Sequence, residues 1–137
     1  MILNIHSDAS YLSAGKGQSR AGGHFFLVSL PCDGEPIWLN RNIHIRCVII
    51  KLVAASAAEA ELGALFLNGQ EAKIICLILE EMGDPQPPTP IHVDNTTTAG
   101  IVNNTIKRQR SRAMEMINFW LLSQEAQKML AVSQHKI

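Results

Sequence analysis

The sequence predicts one mixed α/β domain, in which antiparallel strands come first and a strand-helix-strand-helix order follows. Three observations carry this. In the first 50 residues, short apolar segments are broken by Gly, Ser, Pro and Asp-Gly turn chemistry. The next stretch is rich in helix formers, with Ala58, Leu62, Leu65 and Phe66 at the three-and-four spacing of a buried helical face. Beyond it, strand and helix alternate, which requires parallel pairing and so a mixed sheet. With 137 residues, 47% of them hydrophobic, the chain has the apolar content for one core and not the length for two, so a single domain spans 1–137.

The first strand runs from Ile2 to Asp8, placing Leu3, Ile5 and Ser7 on one face and Asn4, His6 and Asp8 on the other. "SYLSAGKGQSR" reads as a turn region, "AGGHFFLVSL" as a second strand, "PCDGEP" as a turn and "IWLN" as a third apolar segment. "IHIRCVIIKLV" completes this meander with poor alternation. A helix over "ASAAEAELGALF" either continues through "EAKIICLILEEM" or breaks near Asn68 and Gly69, and Gly83 and Pro85 supply its stop. "DPQPPTP" is a stiff connector. A short strand in "PIHV", a short helix in "TTTAGIVNN" and a long amphipathic helix in "RAMEMINFWLLSQEAQKML" complete the order.

Composition excludes several classes. Twelve basic residues balance twelve acidic ones, so a nucleic-acid partner would have to be held by a local basic patch rather than a global field. Cys32, Cys47 and Cys76 are odd in number, widely spaced and form no C-x-x-C pair, which argues against a disulfide framework and against a zinc site. "MILNIHSDAS" meets polar side chains too early for a signal peptide, and the longest unbroken apolar run, Ile74 to Leu79, falls well short of the roughly 20 residues of a membrane span. The expectation is an intracellular, cytoplasmic chain with no membrane partner.

Two segments, "LNIHSD" and "TPIHVD", end apolar runs on Ile-His-x-Asp. On each strand the His and the Asp share a face, and if the strands are neighbours Asp8 and Asp94 meet on one surface of the sheet. Carboxylates that close repel unless a cation or a shared proton intervenes. Each has a simpler explanation: Asp94 as the N-cap of the following helix, and Asp8 as a turn-initiating residue. Glu59 and Glu61 flank the helical stripe on opposite sides, and helical geometry alone does not choose between them. Ala54 and Ala57 lie on the Glu61 side and allow close approach. "IKRQRSR" places Lys107, Arg108, Arg110 and Arg112 together with no acid between them, a cluster suited to phosphates or simply to solvent. His6, His44 and His92 suit structural or surface roles, and His24 and His135 belong to no constellation.

The order "HSDASY", "ASAAEAELGAL", "IHVDNTTTAGIVNN", a basic stretch and "AMEMINFWLL" resembles the ribonuclease H domain of copia-type LTR retrotransposon polyproteins, over residues 2 to 127. The resemblance implies a ribonuclease H-like fold: a mixed central sheet, with strands 1 to 3 antiparallel and strand 4 parallel, flanked by helices. It further implies a metal-dependent endoribonuclease that cleaves the RNA strand of RNA/DNA hybrids beside a reverse transcriptase domain of the same polyprotein, in a cytoplasmic retroelement particle. Asp8, Glu61 and Asp94 match three acidic positions, Glu61 being preferred because the family's Ala-Glu-hydrophobic pattern falls on Ala60, Glu61 and Leu62. Mg²⁺ is the implied cofactor, with Mn²⁺ as a substitute, since hard cations take oxygen ligands and a two-ion site serves phosphodiester hydrolysis. Asn95 and the basic cluster would contact substrate.

The chain departs from the family after residue 127. "AQKMLAVSQHKI" lacks the Ala-Asp motif of the fourth acid, so the last strand and helix are expected to be missing, with Glu115 as a weak substitute ligand. This leaves an alternative reading, a catalytically inactive truncated remnant serving as a nucleic-acid-binding or structural module.

Overall fold

The computed structural model describes residues 2–29, 41–51, 54, 56–93, 112–127 and 130–134. Among the described residues five strands and two α-helices follow in the order β1 (Ile2–Ala14), β2 (Gln18–Val28), β3 (Asn42–Ile50), α1 (Ala57–Glu81), β4 (Thr89–Val93), α2 (Arg112–Ala126) and β5 (Leu130–Gln134). The sheet order is β3-β2-β1-β4-β5. The β1–β2 and β2–β3 pairs are antiparallel, and β4 and β5 run parallel to β1, so the sheet is mixed.

Alternation sorts the side chains. Leu3 and Ile5, Phe25, Ile91 and Val93, and Leu130 and Val132 point to one face, where they form a single core with Leu62, Leu65 and Ala72 of α1 and Ile117 and Leu121 of α2. Phe25, Leu3, Ile5, Leu62 and Leu65 are fully buried. The opposite face carries His6, Asp8 and His24, and on the edge strand β3 the exposed Ile43, Ile45 and Ile49.

α1 begins at an N-cap on Ser56, whose side chain accepts a hydrogen bond from Glu59 N at 3.3 Å, and such a cap contributes about 1 kcal/mol. It runs unbroken through Asn68 and Gly69, so of the two readings of this segment the continuous one holds. Gly69 is there for packing. A Cβ at that position would stand 3.1 Å from Leu130 Cδ1 and 3.2 Å from Trp120 Cζ3, so its absence lets α2 and β5 close onto α1. By length and composition α1 also resembles a membrane span. Here one side of it is instead the core of the sheet, with Ala60, Leu62, Ala64, Leu65 and Ala72 buried.

Three expectations are corrected. The fifth strand is present: Leu130 and Val132 turn into the core while Ala131 faces solvent, and this short alternation pairs in parallel with β4 from Thr89↔Leu130 to Val93↔Gln134. The preceding helix therefore ends at Ala126 and not at Leu130. β1 does not stop at Asp8. Pairing of Ser10 with Arg20 and of Ala14 with Gln18 carries the hairpin onward to a turn of only Gly15–Gly17, which places Asp8 inside a strand and removes its reading as a turn initiator. "IWLN", the short helix after residue 94 and Cys32 lie outside the described residues.

The two described cysteines differ sharply. Cys47 is exposed on β3, whereas burial pushes the Cys76 thiol above its ordinary pKa, partly countered by its contact with Thr89 Oγ1 at 3.1 Å. Since the thiolate is the reactive form, a thiol reagent at pH 8 is expected to modify Cys47 at least tenfold faster than Cys76 in the Cys32→Ser variant. Equal rates, followed by peptide mapping, would contradict this packing. The sign for stability follows: the unfolded thiol ionises first, so Cys76 favours unfolding as pH rises through the ordinary thiol range.

Candidate active site

β1 and α1 bring two carboxylates to one amide. Asp8 is exposed on the open face of the sheet, and its Oδ1 accepts from Ala9 N at 2.8 Å. Glu61, in the second turn of α1, is only 7% exposed, and its Oε1 accepts from the same nitrogen at 3.2 Å. Two acceptors on one N–H place the carboxylate oxygens no more than about 6 Å apart. The amide offsets part of the mutual repulsion, and a cation suits the rest. Glu59 sits in the first turn of α1 and is half-buried, with its backbone engaged by the Ser56 cap.

The helix is held in place at the level of Asp8. Asn68, fully buried two turns beyond Glu61, donates through Nδ2 to Ser7 Oγ and to Gly22 O, both at 2.9 Å. Ser7 precedes Asp8, and Gly22 is its cross-strand partner. This contact needs a bare backbone beneath it: a Cβ on Gly23 would fall 2.4 Å from Asn68 Oδ1. In the sequence Asn68 stands only as a possible helix break, and Gly23 has no assigned role. The available signal was an amide in the middle of an apolar helical face, and a Gly-Gly pair in a strand interior.

β4 lies beside β1, with Ile5 paired to Ile91 and His6 to His92, and it ends at Val93. Asp94 is the next residue in sequence; it lies outside the described residues, as do Asn95, Lys107, Arg108 and Arg110. Arg112 opens α2 and Glu115 follows in its first turn, and their side chains are outside those described. Among the described residues no group of three or more His, Cys, Asp or Glu is arranged to hold a metal ion. His6 and His92 instead pack ring against ring, centroids 5.0 Å apart, and His6 meets Phe26 edge-on at 5.6 Å. A hollow of about 440 Å³ lies away from these carboxylates, lined by Val48, Ile50, Phe66 and Leu67 beside Arg46, which is paired with Glu71 at 3.1 Å.

No protein-family model matches the sequence, and no curated protein matches it. Solved structures do match in fold. LC11-RNase H1, isolated from compost by a metagenomic approach, has in its complex with an RNA/DNA hybrid a TM-score of 0.62 at 10% identity, over 97% of this chain and 84% of that one. The N-terminal RNase H domain of rv2228c from Mycobacterium tuberculosis aligns over 100% of this chain and 87% of that chain, at 11% identity and TM-score 0.59. The foamy viral protease-reverse transcriptase in complex with an RNA/DNA hybrid aligns over 97% of this chain and 17% of its own length, at 13% identity and TM-score 0.59. The chain therefore has a ribonuclease H-like fold.

Proposed function

We propose that this chain is a ribonuclease H-type nuclease domain that hydrolyses the RNA strand of RNA/DNA hybrids, with Asp8, Glu61 and Asp94 as its acidic residues. The observation that carries the reading is the single Ala9 amide shared by carboxylates from β1 and α1, beside the end of the parallel strand that precedes Asp94. Complexes of LC11-RNase H1 and of the foamy viral enzyme with RNA/DNA hybrids support the choice of substrate.

The donor set fits a hard divalent cation, because it offers carboxylate oxygens close together and partly withdrawn from water. Mg²⁺ is the metal proposed, with Mn²⁺ as a substitute, and Asp8, Glu61 and Asp94 would hold it. When bound, such ions supply an activated water and charge opposite the leaving 3′ oxygen. The chain's own groups do the positioning. Ala9 N–H keeps two carboxylates turned toward each other, and Asn68 keeps α1 in register with β1, so that the donors need little reorganisation. Lys107, Arg108, Arg110, Arg112 and Asn95 would engage the backbone of the hybrid. The biological setting belongs to the same proposal: a copia-type retroelement, a reverse transcriptase domain in the same polyprotein, and a cytoplasmic particle. A reverse-transcriptase chain among the structural matches is consistent with that partner.

Incubation of a labelled RNA/DNA hybrid with Mg²⁺ is expected to yield cleaved RNA with the wild-type chain and none with Asp94→Asn. Cleavage no greater than that of the variant would overturn the enzyme reading. Retained hybrid binding in that case would favour an inactive nucleic-acid-binding module.

A further inference from the structure

The hairpin that contains Asp8 runs on past the site as an ordered arm. The pairing shifts register between Ser10 and Ala14, and across that shift Leu12 N donates to Ser19 Oγ at 3.1 Å and Ala14 pairs with Gln18, so β1 and β2 meet again before the Gly15–Gly17 turn. From Ala9 to Val28 the sequence contains no acidic residue. Within that span Lys16 at the tip and Arg20 on the flank are exposed. Neither makes an ion pair among the described residues.

The placement of the two cations is specific. Arg20 pairs with Ser10 and shares the open face with Asp8, whose own partner is Gly22, so no side chain of β2 stands directly beside Asp8. Lys16 has φ 62 and ψ 30, a left-handed conformation that disfavours any residue with a Cβ. It lies between two glycines. Leu12, on the same arm, is also left-handed at φ 52, so what sets Lys16 apart is its charge at the exposed tip and not its backbone.

We propose that this arm is a clamp for the phosphate backbone of nucleic acid, in which Arg20 and Lys16 each hold a phosphate of the strand that passes over Asp8. With Arg20 on the strand and Lys16 four residues away in the turn at the tip, the two cations are placed to reach different phosphates of that strand. The arm is a second basic element, separate in sequence from Lys107–Arg112. The inference rests on the nucleic-acid reading given above and adds to it where the duplex runs.

The test is binding of a fluorescent RNA/DNA hybrid to the full chain without divalent metal, titrated across salt concentrations, for wild type, Lys16→Gly and Arg20→Gln. Each substitution is expected to weaken binding about fivefold or more and to lower the salt slope by roughly 0.9. Lys16→Gly should leave Tm unchanged or raise it, because it relieves the left-handed residue, so lost affinity cannot be lost folding. A wild-type chain that binds hybrid while both variants match its affinity and slope overturns the arm alone. A wild-type chain that binds no hybrid overturns the nucleic-acid reading and the arm with it.

Discussion

Glu61→Gln is expected to reduce RNA-strand cleavage by about 10² to 10³-fold, the usual cost of removing one group aimed at charge in a reacting centre. The amide of Gln is close in shape to the carboxylate and still accepts from Ala9 N–H, so the backbone contact at 3.2 Å survives while the negative charge is lost. Folding should not suffer. A side chain only 7% exposed is costly to keep ionised, and its neutral counterpart is expected to melt at the same temperature as wild type or higher. Glu59→Gln is the matched control, since Glu59 is in the same helix but in its first turn, beside the Ser56 cap. Its cleavage rate should stay within about twofold of wild type, because Glu59 is half-buried and is not one of the carboxylates that share the Ala9 amide. The readouts are initial rates on a labelled hybrid, together with thermal melts. A chain that loses cleavage with Glu59→Gln and keeps it with Glu61→Gln would have its acid on the other side of α1.

The second large effect concerns the contact between α1 and the strands at the level of Asp8. Asn68→Ala is expected to destabilise the fold by about 3 kcal/mol, because it opens a cavity and leaves Ser7 Oγ and Gly22 O without the amide that serves them both. Gly23→Ala should cost about 2 to 3 kcal/mol for the opposite reason, overpacking against the Asn68 side chain. The two changes compensate in part. With Asn68 shortened, the Cβ at position 23 no longer meets its Oδ1, so the double variant should be more stable than the sum of the single losses by at least about 1 kcal/mol. Denaturant unfolding of the four chains measures this coupling, and strict additivity would show that the two residues do not share a space. Each destabilised variant should also lose cleavage more than its folded fraction explains, since Asn68 sets how Glu61 meets Ala9.

Much of this architecture can be read in residue order. Alternation in β1, the three-and-four spacing in α1 and the strand-helix order after it place the core residues and require a parallel strand, because those periods are properties of the backbone itself. The preference for Glu61 over Glu59 comes from neither period but from the family resemblance, whose Ala-Glu-hydrophobic pattern falls on Ala60, Glu61 and Leu62. The termini of elements were less legible. β1 passes through Gly/Ser-rich residues because β2 pairs with it there, and β5 exists because Leu130 and Val132 find a face to bury, although five residues carry too little periodicity to separate a strand from the tail of a helix.

Residue types alone therefore determine a mixed sheet with a helix over its centre, and the candidate acids along it. Only the folded chain decides that Asp8 and Glu61 meet at Ala9 N–H, that Asn68 supports the meeting and is no helix break, and that Lys16 and Arg20 stand on an arm beyond it. The reason is distance along the chain. Asp8 and Glu61 are separated by most of the sheet's first half, and a local pattern carries no information about which amide will lie between two such residues until packing of α1 on β1 has set their separation.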